Sequence, residues 1–186
     1  MSETTKMGER ETRAQREARR EIRVIGDPVL RERAREVTIF DRSLRKLAKR
    51  MIRIMHDAPG IGLAAPQVGV IDRVIVYDVD DDPKVLVNPV LSDFSEEREE
   101  SDEGCLSVPG VAMPIERSLT VRVSGRDETG AALDFVAEGL EARVIQHEVD
   151  HLDGVLIVDR TTREARATAL RALRDGTAVD APAGGL

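Results

Sequence analysis

The stretch that decides the fold is residues 140–154, LEARVIQHEVDHLDG, which contains the pattern H-E-x-x-H at 147–151. Apolar residues and histidines alternate in it with the spacing of one helix face, and a glycine follows the last of them. The positions on this face are Leu140, Val144, His147 and His151, and the glycine is Gly154. This spacing predicts a helix that ends near Gly154 and carries both histidines on its buried stripe.

The spacing of the two histidines is suited to a metal ion. Four residues along an α-helix rise about 6 Å and turn by about 40°, so the imidazoles of His147 and His151 converge on one point. Glu148 is turned by about 100° from His147, so we expect it to flank the ion as a general base and not to ligate it. The alternative is two core histidines satisfied by hydrogen bonds. Burying two imidazoles beside a carboxylate without a ligand is costly, and the motif therefore favours a metal site.

A catalytic metal commonly takes three protein ligands, so one ligand remains to be found. The chain has one cysteine, Cys105, within the segment EGCLS at 103–107, and its thiolate is a suitable third donor. A cysteine nucleophile with a histidine base and a buried, inert cysteine are the alternatives. The third histidine, His56, stands alone near a predicted helix end, where we expect a surface or capping role.

Composition sets the class of the protein. The 186 residues include 28 Lys+Arg and 35 Asp+Glu, for a net charge of −7. We expect a single catalytic domain over 21–175, preceded by a charged, disordered or loosely helical extension over 1–20 and followed by a flexible tail over 176–186. The acidic balance and the lack of a long apolar run predict no membrane and no direct nucleic-acid function. A single cysteine and no export signal favour the cytoplasm.

Periodicity predicts several further elements. Asp41 is placed to cap a helix with apolar residues from Leu44 to Met55. Strand-like runs occupy 73–79, 85–91, 119–124 and 131–136, and another helix is predicted over 161–174.

A glycine-rich segment, GIGLAAPQ at 60–67, superficially fits a dinucleotide-binding fingerprint. A predicted helix precedes it and a strand follows, the reverse of what that fingerprint needs. We expect its glycines to allow close backbone approach to an extended ligand, and Gln67 to offer an amide donor.

In chain order, GIGLAAPQ, EGCLS and QHEVDH resemble the three motifs of the peptide deformylases, and the resemblance covers roughly residues 22–160. It implies an α+β fold with mixed or antiparallel sheets packed around a central metal-binding helix. It also implies removal of the formyl group from N-terminal N-formylmethionine of new polypeptides. The family's metal ligands match Cys105, His147 and His151, and its acid/base matches Glu148.

The same resemblance assigns further residues. Gln67 and the backbone N–H of Leu106 match the donors that hold the formyl oxygen, and Arg117 stands where it could pair with Glu103. The residues implied for substrate binding are Ile61, Gly62 and Gly104 along the substrate backbone, with Gly60 and Val144 at the methionine pocket.

The resemblance also implies one divalent ion, with Fe(II) expected and zinc, nickel or cobalt as substitutes. Nascent N-formylmethionyl peptides are the implied partners, and a ribosome contact is suggested for the helix over 161–174. That helix gathers Arg163, Arg166, Arg171 and Arg174 in one sector, although an ordinary solvated face is the alternative. A zincin-type peptidase and a deformylase-like protein that binds ribosomes without chemistry are the competing functions.

Overall fold

The helix with the H-E-x-x-H pattern lies at the centre of an α+β domain. The computed structural model describes residues 12–177. The helices in this range are α1 (Arg13–Glu21), α2 (Arg42–Asp57), α3 (Gly139–Leu152), α4 (Ile157–Arg160) and α5 (Arg163–Asp175). The strands are β1 (Gly62–Ala64), β2 (Val74–Tyr77), β3 (Lys84–Ser92), β4 (Arg98–Cys105), β5 (Val108–Ser118), β6 (Thr120–Arg126) and β7 (Ala132–Glu138).

The strands form two antiparallel sheets. Five of them pair in the order β1-β2-β3-β6-β7, while β4 and β5 form a separate two-stranded hairpin. Helix α3 packs on the larger sheet, where Val144 and Ile145 share a buried cluster with Ile75 and Val123. The expected α+β architecture around the metal-motif helix is confirmed, with antiparallel pairing in both sheets.

Helix α2 forms as its sequence predicts. The Asp41 carboxylate accepts hydrogen bonds from the backbone N–H groups of Ser43 and Leu44, at 2.8 and 3.1 Å. These bonds satisfy donors that have no partner inside the helix. The buried residues Leu44, Ala48, Met51, Ile54 and Met55 recur at helical spacing. One side of α2 therefore faces the core that also covers β1 and β2.

The extension over 1–20, predicted to be disordered or loosely helical, contains most of helix α1 in its described part. Thr12 and Gln15 form a capping box at the start of α1, and Ala18 is fully buried. Glu21 accepts hydrogen bonds from Arg50 and Arg53 of α2, at 2.9 and 2.7 Å. One small apolar side chain and these ion pairs attach the helix to α2 despite its polar composition. Helix α1 therefore packs against α2, and residues 1–11 lie outside the described residues.

The C-terminal end matches its predicted helix closely. Thr162 caps α5, and Gly176 ends it with φ of 65°, a left-handed conformation that suits glycine. The flexible tail predicted over 176–186 lies outside the described residues from 178 onward. Within 12–177, no helix combines the length and apolarity required to cross a bilayer.

Two predictions made from the sequence pattern are wrong. Leu140 is 52% exposed, so the buried stripe of α3 begins at Val144 and not at Leu140. Leu140 lies in the first turn of α3, at its N-terminal end, and belongs to none of the buried clusters. The hairpin of β4 and β5 has no counterpart among the predicted strands, because β4 is almost entirely polar and is defined by its pairing with β5.

Candidate metal centre

Three side chains from two elements converge in the core. The sulfur of Cys105 and one ring nitrogen each of His147 and His151 all lie within 4.8 Å of one another, and all three residues are buried. The Sγ of Cys105 is 3.3 Å from Nε2 of His151. A cysteine sulfur and two imidazoles at this spacing are a donor set that would suit a divalent metal ion.

The cysteine reaches this point from the end of the hairpin. Gly104 pairs with Ala112, but Cys105 pairs with Val108, so the register shifts between Gly104 and Cys105. Such an irregularity redirects side chains at the end of a strand. The histidines come from α3, and the centre therefore depends on how closely the hairpin is held against that helix.

The orientation of His147 fits a metal ligand. Its Nδ1 lies 3.0 Å from Oε2 of Glu103, while its Nε2 is buried and has no hydrogen-bond partner among the described residues. A buried polar atom without a partner costs about 1–3 kcal/mol. An ion held also by Cys105 and His151 would satisfy Nε2, so these residues fit a metal.

Glu103 is the charged residue behind His147. Its side chain is fully buried and accepts two hydrogen bonds from Arg117, both at 3.0 Å, and one from Arg143 at 2.8 Å. Burial raises the pKa of Glu103, but hydrogen bonds from His147 and Arg117 outweigh it and bring the pKa to about 2. The carboxylate therefore stays ionised and keeps a proton on Nδ1 of His147. The expected pair between Arg117 and Glu103 is present.

Glu148 is fully buried beside the same centre, and neither of its carboxylate oxygens has a hydrogen-bond partner among the described residues. Burial raises its pKa to about 7, although the charge of His147 acts in the opposite direction. A carboxyl group that titrates near neutrality can both accept and return a proton. This environment suits the acid/base role predicted for Glu148.

The side-chain amide of Gln67 has a fixed orientation. Its oxygen accepts a hydrogen bond from the backbone N–H of Ala64 at 2.8 Å, so its NH₂ group must point the other way. That NH₂ group donates to Oγ of Ser107 at 3.1 Å and lies 3.9 Å from the sulfur of Cys105. Gln67 therefore presents a donor to the cysteine loop.

The residues predicted to bind substrate lie at or beside β1, on α3 and on β4. Gly60 lies against Leu106, since a Cβ on Gly60 would be 2.9 Å from the Leu106 side chain. Gly62 lies against Glu148 in the same way. Val144 is fully buried, and the partly buried Ile61 packs against its cluster.

Gly104, the remaining residue predicted to bind substrate, lies on strand β4 next to Cys105. In the described part of the chain, β1 is an edge strand of the five-stranded sheet, and β4 pairs only with β5 in the two-stranded sheet. Each of the strands β1 and β4 thus has an edge with no strand partner there.

Sequence reasoning missed three buried polar residues of the site: Ser107, Arg143 and Asp150. Asp150 accepts a hydrogen bond from Arg117 at 2.6 Å. Arg143, His147 and Asp150 follow the i, i+4, i+7 spacing of one helix face, which was readable from the sequence. His56 is outside the metal-ligand group and lies 2.8 Å from a carboxylate oxygen of Asp78.

Comparison with known proteins decides the family. The family model described as polypeptide deformylase matches residues 19–167. The chain belongs to the polypeptide deformylase family. The peptide deformylase of Acidothermus cellulolyticus is 53% identical to it over 156 residues, which are 84% of this chain and 86% of that protein. The peptide deformylase of Thermosynechococcus vestitus is 47% identical over 150 residues, 78% of this chain and 80% of that protein.

Solved structures agree with this family assignment. The crystal structure of peptide deformylase from Thermotoga maritima superposes with a TM-score of 0.75 at 48% identity, covering 76% of this chain and 96% of that one. A peptide deformylase from Synechococcus elongatus in complex with actinonin gives a TM-score of 0.79 at 44% identity, covering 88% of each chain. The deformylase fold thus extends over most of this chain.

Proposed function

We propose that this chain removes the formyl group from N-terminal N-formylmethionine of newly made polypeptides by hydrolysis, releasing formate. It uses one divalent metal held by Cys105, His147 and His151. The observation that carries the proposal is the convergence of these three donors within 4.8 Å in a chain of the deformylase family. The buried carboxylate of Glu148 next to them supplies the acid/base.

Each group around the centre has its own role in the proposed reaction. Cys105, His147 and His151 would hold the divalent ion, which would supply an activated water and polarise the substrate carbonyl group. Glu148 takes a proton from the attacking water and delivers it to the leaving amine. Gln67 and the backbone N–H of Leu106 donate hydrogen bonds to the developing oxyanion, and each well-placed donor contributes roughly 3 kcal/mol.

The substrate lies between the two free strand edges. Its backbone pairs with Ile61 and Gly62 on one side and with Gly104 on the other, as an added strand does in β-augmentation. The edges of β1 and β4 without strand partners in the described residues support this arrangement. The methionine side chain lies in a pocket bordered by Gly60 and Val144.

The working metal is Fe(II), with zinc, nickel or cobalt as substitutes. A thiolate and two imidazoles suit all four ions, so the donor set does not discriminate among them. Anaerobic reconstitution of the chain with each ion, followed by turnover measurements, tests this proposal. Equal turnover with zinc and Fe(II) would contradict it.

Metal analysis paired with formate release from formyl-Met-Ala tests the proposed function. We expect one metal per chain and release of formate that stops when the metal is chelated. A chain that binds metal and releases no formate would instead be a deformylase-like protein without chemistry. Cys105→Ser should lose metal. Retention of metal would favour the alternative of a zincin-type peptidase, although no histidine follows His151 in this sequence.

The partners are nascent formylated chains in the cytoplasm, met at the ribosome. The arginines predicted to face outward on α5 are exposed, whereas Ala169 on its opposite side is buried. An exposed row of arginines on one helix face is suited to a phosphate backbone, which supports a ribosome contact.

A further inference from the structure

A buried arginine joins α3 to the hairpin that carries the cysteine. The side chain of Arg143 is 8% exposed. One of its terminal nitrogens donates to Oε1 of Glu103 at 2.8 Å and to the backbone oxygen of Ile115 at 3.1 Å. The other donates to the backbone oxygen of Glu99 at 2.7 Å. Arg143 thus donates hydrogen bonds to a carboxylate and one backbone carbonyl on β4 and to one backbone carbonyl on β5.

These contacts reach the metal centre through Glu103. One carboxylate oxygen of Glu103 accepts from Arg143, and the other lies 3.0 Å from Nδ1 of His147. Glu103 is two residues before Cys105 on the same strand. A single side chain of α3 therefore fixes both the carboxylate that orients His147 and the strand that delivers the sulfur.

The other arginine at Glu103 acts differently. Arg117 belongs to β5, so its pair with Glu103 lies within the hairpin and does not hold the hairpin to the helix. Its attachment to α3 is through Asp150, at 2.6 Å. Arg143 precedes His147 by four residues and Asp150 follows it by three. The two arginine-mediated attachments therefore lie on either side of His147 along the helix, and Arg143 is the arginine of α3 that contacts Glu103.

We propose that Arg143 is a positioning residue of the metal centre. It holds Glu103 against His147 and sets the distance between Cys105 and the two histidines. This inference rests on the proposed function, because it presumes that these three residues bind a metal. A planar guanidinium spreads its donors over separate nitrogens and so reaches a carboxylate and two carbonyls at once, whereas the ammonium of lysine has all three donors on one nitrogen.

The test uses the full chain loaded with Co(II), whose absorption reports ligation by the Cys105 thiolate. We expect Arg143→Met to raise the Co(II) dissociation constant, measured by competition with a chelator, about 10- to 100-fold. The thiolate-to-cobalt absorption should shift or weaken at saturating metal. Arg143→Lys should recover part of the affinity, because an ammonium group can still reach Glu103.

Arg73→Met is the matched control. Arg73 is also shielded, at 13% exposed, and donates to Asp153 just after α3 and to a backbone carbonyl, without contacting Glu103. We expect this variant to bind Co(II) like the unaltered chain. If Arg143→Met does not fold, Arg143→Lys carries the test, with a smaller loss of affinity expected.

Two results would overturn the inference. One is an unchanged dissociation constant and spectrum in the folded Arg143 variants, and the other is an equal effect of Arg73→Met. Failure of the proposed function is distinguishable, because the unaltered chain would then itself fail to bind Co(II) through the thiolate or to release formate.

Discussion

Gly62 and Glu148 are in direct contact, and the contact leaves no room for a side chain on Gly62. A Cβ placed there would lie 3.0 Å from both Cγ and Cδ of Glu148 and would overlap its carboxylate oxygen. The glycine therefore does more than allow a substrate backbone to approach. It makes the space in which the proposed acid/base lies.

Gly62→Ala should lower turnover of a formylated peptide about 100-fold while leaving the metal content unchanged. The added methyl group displaces the Glu148 carboxylate, and a misplacement of about 1 Å is sufficient for a loss of this size. Steady-state kinetics and metal analysis on the same preparation measure the two effects.

Gly176→Ala is a control for the general cost of replacing a glycine. It strains a left-handed position, yet a Cβ there meets nothing within 4 Å. It should lower stability and leave turnover unchanged. Near-normal turnover of Gly62→Ala would contradict the role given to this contact.

Glu148→Ala should retain metal and lose nearly all turnover, because the variant keeps the three ligands but has no group to move the proton. General acid/base groups typically contribute 10²- to 10⁴-fold, so a loss of at least about 100-fold is expected. The exposed Glu138→Ala, at the start of the same helix, should behave like the unaltered chain. A Glu148 variant with close to normal turnover would refute the assignment.

Glu21→Gln should lower the thermal midpoint by about 2 °C at pH 7, since partly exposed ion pairs contribute at most about 1 kcal/mol. A hydrogen bond from Arg53, and a weaker effect of one from Arg50, lower the pKa of Glu21 below its ordinary value of 4.5. A lowered pKa in the folded state means that the stabilisation is complete above pH 4.5 and is lost as the pH falls through the folded value. Thermal melts across this range should therefore show the two proteins converging in acid.

The matched variant for this measurement is Glu17→Gln, on the same helix. Glu17 pairs with Arg13 of its own helix, and the Arg13 side chain is 88% exposed. We expect no change in its midpoint. A difference between Glu21→Gln and the unaltered chain that persists undiminished at pH 3 would show that charge pairing does not hold α1 in place.

The double variant Arg163→Glu, Arg171→Glu should reduce sedimentation with ribosomes about tenfold or more, and the remaining binding should fall with added salt. Turnover of a short formylated peptide should not change, because neither arginine contacts the metal centre. Arg42→Glu with Lys46→Glu on the exposed side of α2 provides the same change of charge elsewhere. Equal sedimentation of both double variants would argue against a contact through α5.

The sequence by itself determined the local parts of this protein. Helical spacing predicts α2, α3 and α5, with Asp41 as the cap of α2 and Gly154 just after α3, because such elements depend on contacts a few residues apart. The spacing of His147 and His151 likewise brought two ligands to one helix face. The missing third ligand pointed to Cys105 and the motif spacing to Glu148, and motif resemblance then assigned Gln67 to the formyl oxygen.

Only the tertiary structure decided how the separate segments meet. Strand β4 is almost entirely polar, so its pairing with β5 is set by its partner and not by periodicity. The docking of α1 depends on Arg50 and Arg53, about 30 residues away along the chain. The attachment of Arg143 to Glu103 joins residues 40 apart. Contacts over such separations form only when the whole chain has folded, and no local pattern encodes them.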